Sequence, residues 1–200
     1  MLLSFEDHWI KEAKGREDVI YKEGKDFDSY LVEGKTLLAT YYQKSPDDGY
    51  RVLGIEEPFF FYIPKLPIPI IGVIDLIEED NSGTIVITDF KTSSRAYSLS
   101  ETEKDFQLTV YQMAAKANGF RDREILLRFD CLIKTQIPRF EQYYTFRSET
   151  DEKRAIVKIR KVWEGITKEV FIPNDTSWKC KGCVYKDHCN DYFNHFEEDT

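Results

Sequence analysis

The chain has 200 residues, 42% hydrophobic and 32% charged, which suits one globular domain, or one domain with a small appendage, and argues against a disordered tract. A formal net charge of −8 argues against a nucleic-acid coating or packaging protein, which binds through broad basic surfaces, but is compatible with an enzyme whose local basic groove surrounds an acidic centre. No run approaches the ~18 apolar residues needed to span a bilayer, residues 1–9 lack a basic n-region, and three of the four cysteines crowd near the C-terminus, so the composition predicts no membrane, no secretory signal and no disulfide framework, as for a cytoplasmic protein.

In chain order, Phe5, Trp9 and Ala13 recur at helical spacing over residues 1–15. A second helix is predicted over 26–44, with Phe27, Tyr30, Leu31, Leu37, Leu38 and Tyr41 on one face, ended by Ser45-Pro46-Asp47-Asp48-Gly49. Strands follow over 50–62, 68–78 and 84–91, the last two joined by a hairpin at Asp80-Asn81-Ser82-Gly83. A helix is predicted over 101–118, stopping at Gly119, with Phe106, Val110, Met113 and Ala117 as its core stripe. Two strands, 124–135 and 139–147, precede a helix over 151–168 with Ala155, Ile159, Val162, Trp163 and Ile166 inward. Residues 173–200 show little periodicity, and the chain contains no repeat or low-complexity tract. This order predicts an α/β fold with a central mixed sheet flanked by helices, residues 1–172, and a small cysteine-containing C-terminal tail, residues 173–200, packed on it.

The chemistry concentrates in the middle strands. Side chains alternate between the two faces of a strand, so Ile85, Ile87, Asp89 and Lys91 are predicted on one face, and Ile71, Val73, Asp75 and Ile77 on one face of the strand before. The hairpin brings Asp75 near Asp89. Two close carboxylates repel unless a cation lies between them, and oxygen ligands select Mg²⁺ or Mn²⁺. Such an ion activates water against a phosphodiester, and Lys91 would orient that water or stabilise the developing charge. Taken alone, Asp89-Phe90-Lys91 reads first as a surface ion pair on an edge strand, but Asp75 inside the apolar run Gly72-Val73-Ile74-Asp75-Leu76-Ile77 calls for a reason.

Gly72-Val73-Ile74-Asp75, then Asp89-Phe90-Lys91-Thr92, then Gln107-Leu108-Thr109-Val110-Tyr111 resemble, in order and spacing, the motifs of the RecB-like and Cas4-like branch of the PD-(D/E)XK nucleases, phage or bacterial RecB-family exonuclease domains among them. The resemblance runs from about residue 50 to 189 and implies a restriction-endonuclease-like core. It also implies a metal held by Asp75, Asp89 and the backbone carbonyl of Phe90, with Lys91 at the water. Asp89 stands where many relatives carry Glu. Glu56 resembles an acidic position ahead of the first motif and is either an additional ligand or a rim charge. Gln107 and Tyr111, four apart, share a helix face and would bind phosphate or the surroundings of the nucleophile; the plainer alternative is a solvated Gln and a half-buried Tyr. Arg95, just beyond the catalytic strand, is a candidate contact to the DNA backbone.

Cys180, Cys183 and Cys189 form C-x2-C-x5-C, a spacing that can wrap a soft metal centre. In the branch that carries an iron–sulfur cluster, this tail supplies three ligands and an N-terminal cysteine the fourth. Here no cysteine precedes Cys131, which reads as a buried strand residue, and the relatives' upstream Gly-x-x-x-His motif is missing, His8 having the wrong context. The chain thus reads as one that begins after those elements or as a reduced variant. An intact [4Fe–4S] site would need a ligand from a partner chain or a missing N-terminal segment; zinc, with His188 added, and three free thiols are the alternatives. The function expected is a Mg²⁺- or Mn²⁺-dependent deoxyribonuclease, in the first instance an exonuclease, acting on DNA in a bacterial, archaeal or phage-infected cell. Its rivals are a non-catalytic DNA-binding or assembly module of the same fold and a zinc-tail interaction protein with incidental carboxylates.

Overall fold

The structure of the protein, a computed structural model, describes residues 1–195. The chain divides into two compact units, Met1–Ile156 and Val157–Thr200, with the boundary inside its last long helix.

The first unit holds one five-stranded sheet whose spatial order follows the chain: β1 (Arg51–Phe61), β2 (Ile70–Glu79), β3 (Ile85–Ser93), β4 (Ile125–Ile133) and β5 (Arg139–Thr145). All ten strand ends lie within two residues of those predicted. Neighbouring strands pair antiparallel except β3 and β4, which are parallel. A parallel neighbour requires a crossover, supplied here by α3 (Leu99–Lys104) and α4 (Phe106–Ala115). The mixed sheet flanked by helices is therefore the architecture the sequence predicts. In the β2–β3 hairpin, Asp80 accepts the amides of Ser82 and Thr84 at 2.8 Å each, which fixes the turn that sets the register of the two acidic strands.

Consecutive residues of β3 face opposite ways. Phe90 meets Tyr41 of α2 (Phe27–Lys44) edge-on, and Tyr41 also packs on Phe140 of β5. Asp89 faces α4, whose Leu108, Ala114 and Ala115 are fully buried. Ile85, Val86 and Ile87, with Leu127, Phe129 and Ile133 of β4, make the centre of the core. At the N-terminus, α1 (Leu2–Ala13) meets α2 through Trp9, which stacks near Phe27 and donates its indole N–H to the Phe27 carbonyl at 3.2 Å.

The predicted single helix over 101–118 is two helices. Ser98 caps α3 in a capping box with Glu101. At Asp105 the backbone turns extended, and the Asp105 side chain accepts the Leu108 amide at 2.8 Å, capping α4. Tyr111 belongs to the buried side of α4, while Phe106, at its first position, and Ala117, beyond its end, both predicted inward, are exposed. Gly119, at φ 111°, ends the segment as predicted.

In the second unit, Val162 and Ile166 of α5 (Glu149–Thr167), predicted inward, are exposed. A short 3₁₀ turn (Trp178–Gly182) and a helix α6 (Lys186–His195) follow, neither visible as periodicity in a segment this polar. No helix of the described residues is long and apolar enough to cross a membrane.

Candidate active site

The sheet forks between β2 and β3. Their ladder ends at Leu76 opposite Thr88. From there β2 continues along β1 back to Ile70, and β3 continues along β4 to Ser93. Asp75 and Asp89 are the first residues on either prong. In place of a strand partner, the Phe90 amide donates to Asp75 Oδ2 at 2.8 Å, so the carboxylate itself bridges the fork.

Asp75 reaches that position because β2 slips once in its alternation. Ile74 and Ile77, three residues apart, line the same small cavity against Ala114 and Ala115 of α4. The slip lies opposite Glu56, which takes a left-handed backbone (φ 50°), a conformation that costs a non-glycine residue of order 1 kcal/mol or more; the β1–β2 register is the same on either side of Glu56 and shifts between Val52 and Gly54. The predicted shared face of Ile71, Val73, Asp75 and Ile77 is therefore corrected: Ile71 is 74% exposed and Ile77 4%. Ile74, at 2%, takes the inward place expected of Val73.

Around Asp89 four side chains close a ring. The Lys91 ammonium lies 2.6 Å from Asp89 Oδ2 and donates to Gln107 Oε1 at 2.8 Å. Gln107 Nε2 donates to the Tyr111 hydroxyl at 2.8 Å, and that hydroxyl donates weakly, at 3.4 Å, to Asp89 Oδ1. Lys91 also sits 5.4 Å from the centre of the Phe129 ring, a cation–π contact that fixes its stem. The sequence-predicted Asp75, Asp89, Lys91, Gln107 and Tyr111 thus lie together, with Tyr111 supported from behind by an edge contact with Phe59.

Asp89 is 1% exposed. Burial pushes its carboxyl pKa upward; Lys91 opposes this, and the negative charges of Asp75 and Asp105 add to it. Burial likewise raises the Tyr111 hydroxyl to about 12, so it stays a protonated donor at neutral pH. Although Lys91 is close, Asp89 Oδ2 accepts no aligned hydrogen bond: the contact is an ion pair, and a buried oxygen keeps unused acceptor capacity. An oxygen of this kind, beside a second carboxylate across the fork, is chemically suited to a hard divalent cation. Among the described residues, no three His, Cys, Asp or Glu side chains converge on such a point, so any ion here would rely on the Asp pair, the backbone and solvent.

The remaining candidates lie apart. Glu56 occupies the register position opposite Asp75 but is exposed. Arg95 is exposed and tied to Glu101 through both terminal guanidinium nitrogens, Nη1 and Nη2. Cys180, Cys183 and Cys189 are free thiols not gathered into a metal-holding group; Cys180 Sγ instead donates to the Asn174 carbonyl at 3.3 Å. Cys131 is fully buried, its thiol raised to about 12, as a structural strand cysteine should be. A cleft of about 870 Å³ lined by Tyr62, Lys116, Arg121 and Glu152 includes none of the ring residues.

The sequence reading missed two features. Asp105 caps α4 and adds negative potential at Asp89; an Asp three residues before a buried Leu is the signal that would have found it. On the α2 face of the sheet, Arg128 reaches Glu78 at 2.9 Å and Asp130 at 3.0 Å, a buried ion network that alternation alone marks only as charge in an apolar strand.

The profile of the PD-(D/E)XK nuclease superfamily matches residues 5–190. The chain belongs to the PD-(D/E)XK nuclease superfamily. A crystal structure of a candidate exonuclease from Eubacterium rectale aligns with 92% of this PD-(D/E)XK chain and 71% of its own, at 12% identity and a TM-score of 0.60, a likeness of fold. The crystal structure of SSO0001 aligns with 80% of the chain and 70% of its own, at 17% identity and a TM-score of 0.48. No curated protein matches the chain.

Proposed function

We infer that the protein is a divalent-metal-dependent deoxyribonuclease that hydrolyses phosphodiester bonds and works from DNA ends. The observation carrying this reading is the fork itself: Asp75 and Asp89 face one gap while Lys91, Gln107 and Tyr111 close a hydrogen-bonded ring around the buried carboxylate. Asp75, Asp89 and the Phe90 carbonyl would hold Mg²⁺ or Mn²⁺, which when bound lowers the pKa of water and polarises a phosphoryl oxygen. Lys91 supplies the positive charge that steadies the attacking water and the charge developing on phosphate. Gln107 holds the Lys91 ammonium by its carbonyl and spends its own N–H on Tyr111, so the lysine is aimed rather than free. Tyr111, kept protonated and accepting from Gln107 Nε2, turns its one O–H toward Asp89 Oδ1 and so favours the anionic carboxylate.

Work from ends is supported by the name of the Eubacterium rectale structure. The acidic ring needs no broad basic surface, in keeping with the net charge of −8. The test is cleavage of linear DNA against a covalently closed circle, with Mg²⁺ or Mn²⁺ and with chelator. Metal-dependent loss of the linear substrate, abolished in Asp89→Ala, is the expected result. An inert wild type, or a fully active Asp89→Ala, rejects the reading.

One observation favours a second reading, a DNA-binding module of this fold without turnover: Lys91 already neutralises Asp89, and among the described residues no third acidic side chain joins the pair. DNA binding without cleavage, together with no Mn²⁺ uptake by calorimetry, would select it.

A further inference from the structure

We propose that Arg147 is a positioning residue for this site: it locks the break between α3 and α4 and thereby holds Gln107 against Lys91. The inference rests on the nuclease reading for its effect on turnover but on geometry alone for its effect on Gln107.

Arg147 lies just past the end of β5, in the link to α5, and is 7% exposed. All five of its guanidinium N–H groups are used. Nη2 donates to the Thr102 carbonyl at 2.8 Å, in α3, and to the Asp105 carbonyl at 3.0 Å, at the break itself. Nε donates to Thr109 Oγ1 at 2.8 Å, and Thr109 Oγ1 in turn donates to the Asp105 carbonyl at 2.9 Å. Nη1 donates to Thr145 Oγ1 at 2.8 Å and the Phe146 carbonyl at 3.0 Å, anchoring the group to the end of the sheet. Its own carbonyl accepts from Gln112, which is itself buried.

None of these acceptors is a carboxylate. A buried cation held by neutral dipoles alone is costly, and burial lowers the Arg147 pKa, although distant acids oppose it. Apolar residues would fill the same space more cheaply. What the fork of donors provides is a fixed spacing between the last turn of α3, the first turns of α4 and the end of β5. Gln107 sits between two of the contact points, Asp105 and Thr109, and its side chain projects from that turn to Lys91. A small rotation of the first turn of α4 carries the Gln107 amide off the ammonium. Misplacement of about 1 Å at a reacting group costs up to about a hundredfold in rate.

The experiment compares wild type, Arg147→Lys, Gln107→Ala and the double variant. The readouts are kcat and KM on linear DNA and the side-chain amide resonances of Gln107, assigned by their absence in Gln107→Ala. Arg147→Lys keeps the charge but loses the planar fork. It should shift the Gln107 resonances and lower kcat about tenfold or more, with KM changed by no more than about twofold, and it should cost almost nothing further in the Gln107→Ala background. A merely structural arginine would leave the Gln107 resonances in place, or its kcat loss would multiply with that of Gln107→Ala; either result overturns the proposal. Thr109→Val, which removes one acceptor while keeping the shape, should move the same resonances less and in the same direction, and it decides the question if Arg147→Lys does not fold. An inert wild type defeats the nuclease reading, and the resonances then judge Arg147 by themselves.

Discussion

Gly72 is where the chain can be pushed to test whether the apolar packing behind the site sets its geometry. A Cβ at Gly72 would lie 2.5 Å from Phe59 Cζ and 2.8 Å from Cε1, against an ordinary contact of 3.4–4 Å, so the ring must retreat by about 1 Å. Phe59 is buried, with Phe61 on one side and the Tyr111 ring in edge contact on another. The displacement is therefore passed to Tyr111, and from its hydroxyl to Gln107 and Asp89. Overpacking of this kind costs about 1–3 kcal/mol, which at about 2–4 °C per kcal/mol for a chain of this size lowers Tm by roughly 2–12 °C. Gly72→Ala should show that loss by calorimetry and a fall in DNA cleavage at temperatures where the protein is still folded. Phe59→Leu in the same chain shortens the obstructing side chain and should recover part of both. Unchanged Tm and activity in Gly72→Ala, or no recovery in the double variant, would refute the chain of contacts from Gly72 through Phe59 and Tyr111 to the acidic centre.

Asp89→Asn should abolish cleavage and remove a pH dependence of stability. Burial raises the folded-state pKa of Asp89, so its contribution is fully present below the ordinary carboxylate range and is lost as pH rises through the raised value; metal-free wild type should lose stability over that interval in urea titrations, and Asp89→Asn should lose less. Mg²⁺ at about 100 times its Kd should stabilise wild type by about 2.7 kcal/mol, roughly 5–10 °C in Tm, and leave Asp89→Asn unmoved; equal shifts in both would count against the Asp pair as the metal site. With a thiol reagent at neutral pH, Cys183, exposed, should react in the native protein and Cys131, buried with its thiol raised to about 12, only on unfolding; rapid labelling of Cys131 would contradict the packing of β4.

The strands were legible because each is rich in apolar and β-favouring residues and bounded by turn residues, and the hairpin at Asp80 announced itself by composition. The grouping of Asp75, Asp89, Lys91, Gln107 and Tyr111 was legible from three short motifs in order. What alternation could not show was the slip at Asp75, which faces a left-handed Glu56 in the neighbouring strand, because a period of two presumes no interruption. The break at Asp105 was hidden because Asp and Lys are ordinary on an exposed helix face; the Asp105 cap on the Leu108 amide and the buried guanidinium of Arg147, read from sequence as the end of a strand, both engage the chain there. The cysteine spacing in the tail permitted a metal site but could not say whether the three thiols converge, which is a matter of tertiary placement.

The most direct measurement is anomalous scattering from crystals soaked in Mn²⁺. The account expects a peak in the fork between β2 and β3, within about 2.0–2.3 Å of a carboxylate oxygen of Asp75 and one of Asp89, with the Lys91 ammonium displaced from Asp89 Oδ2 but still bonded to Gln107. Diffraction data of adequate strength with no manganese between those two carboxylates, or with manganese bound elsewhere on the chain, would contradict it.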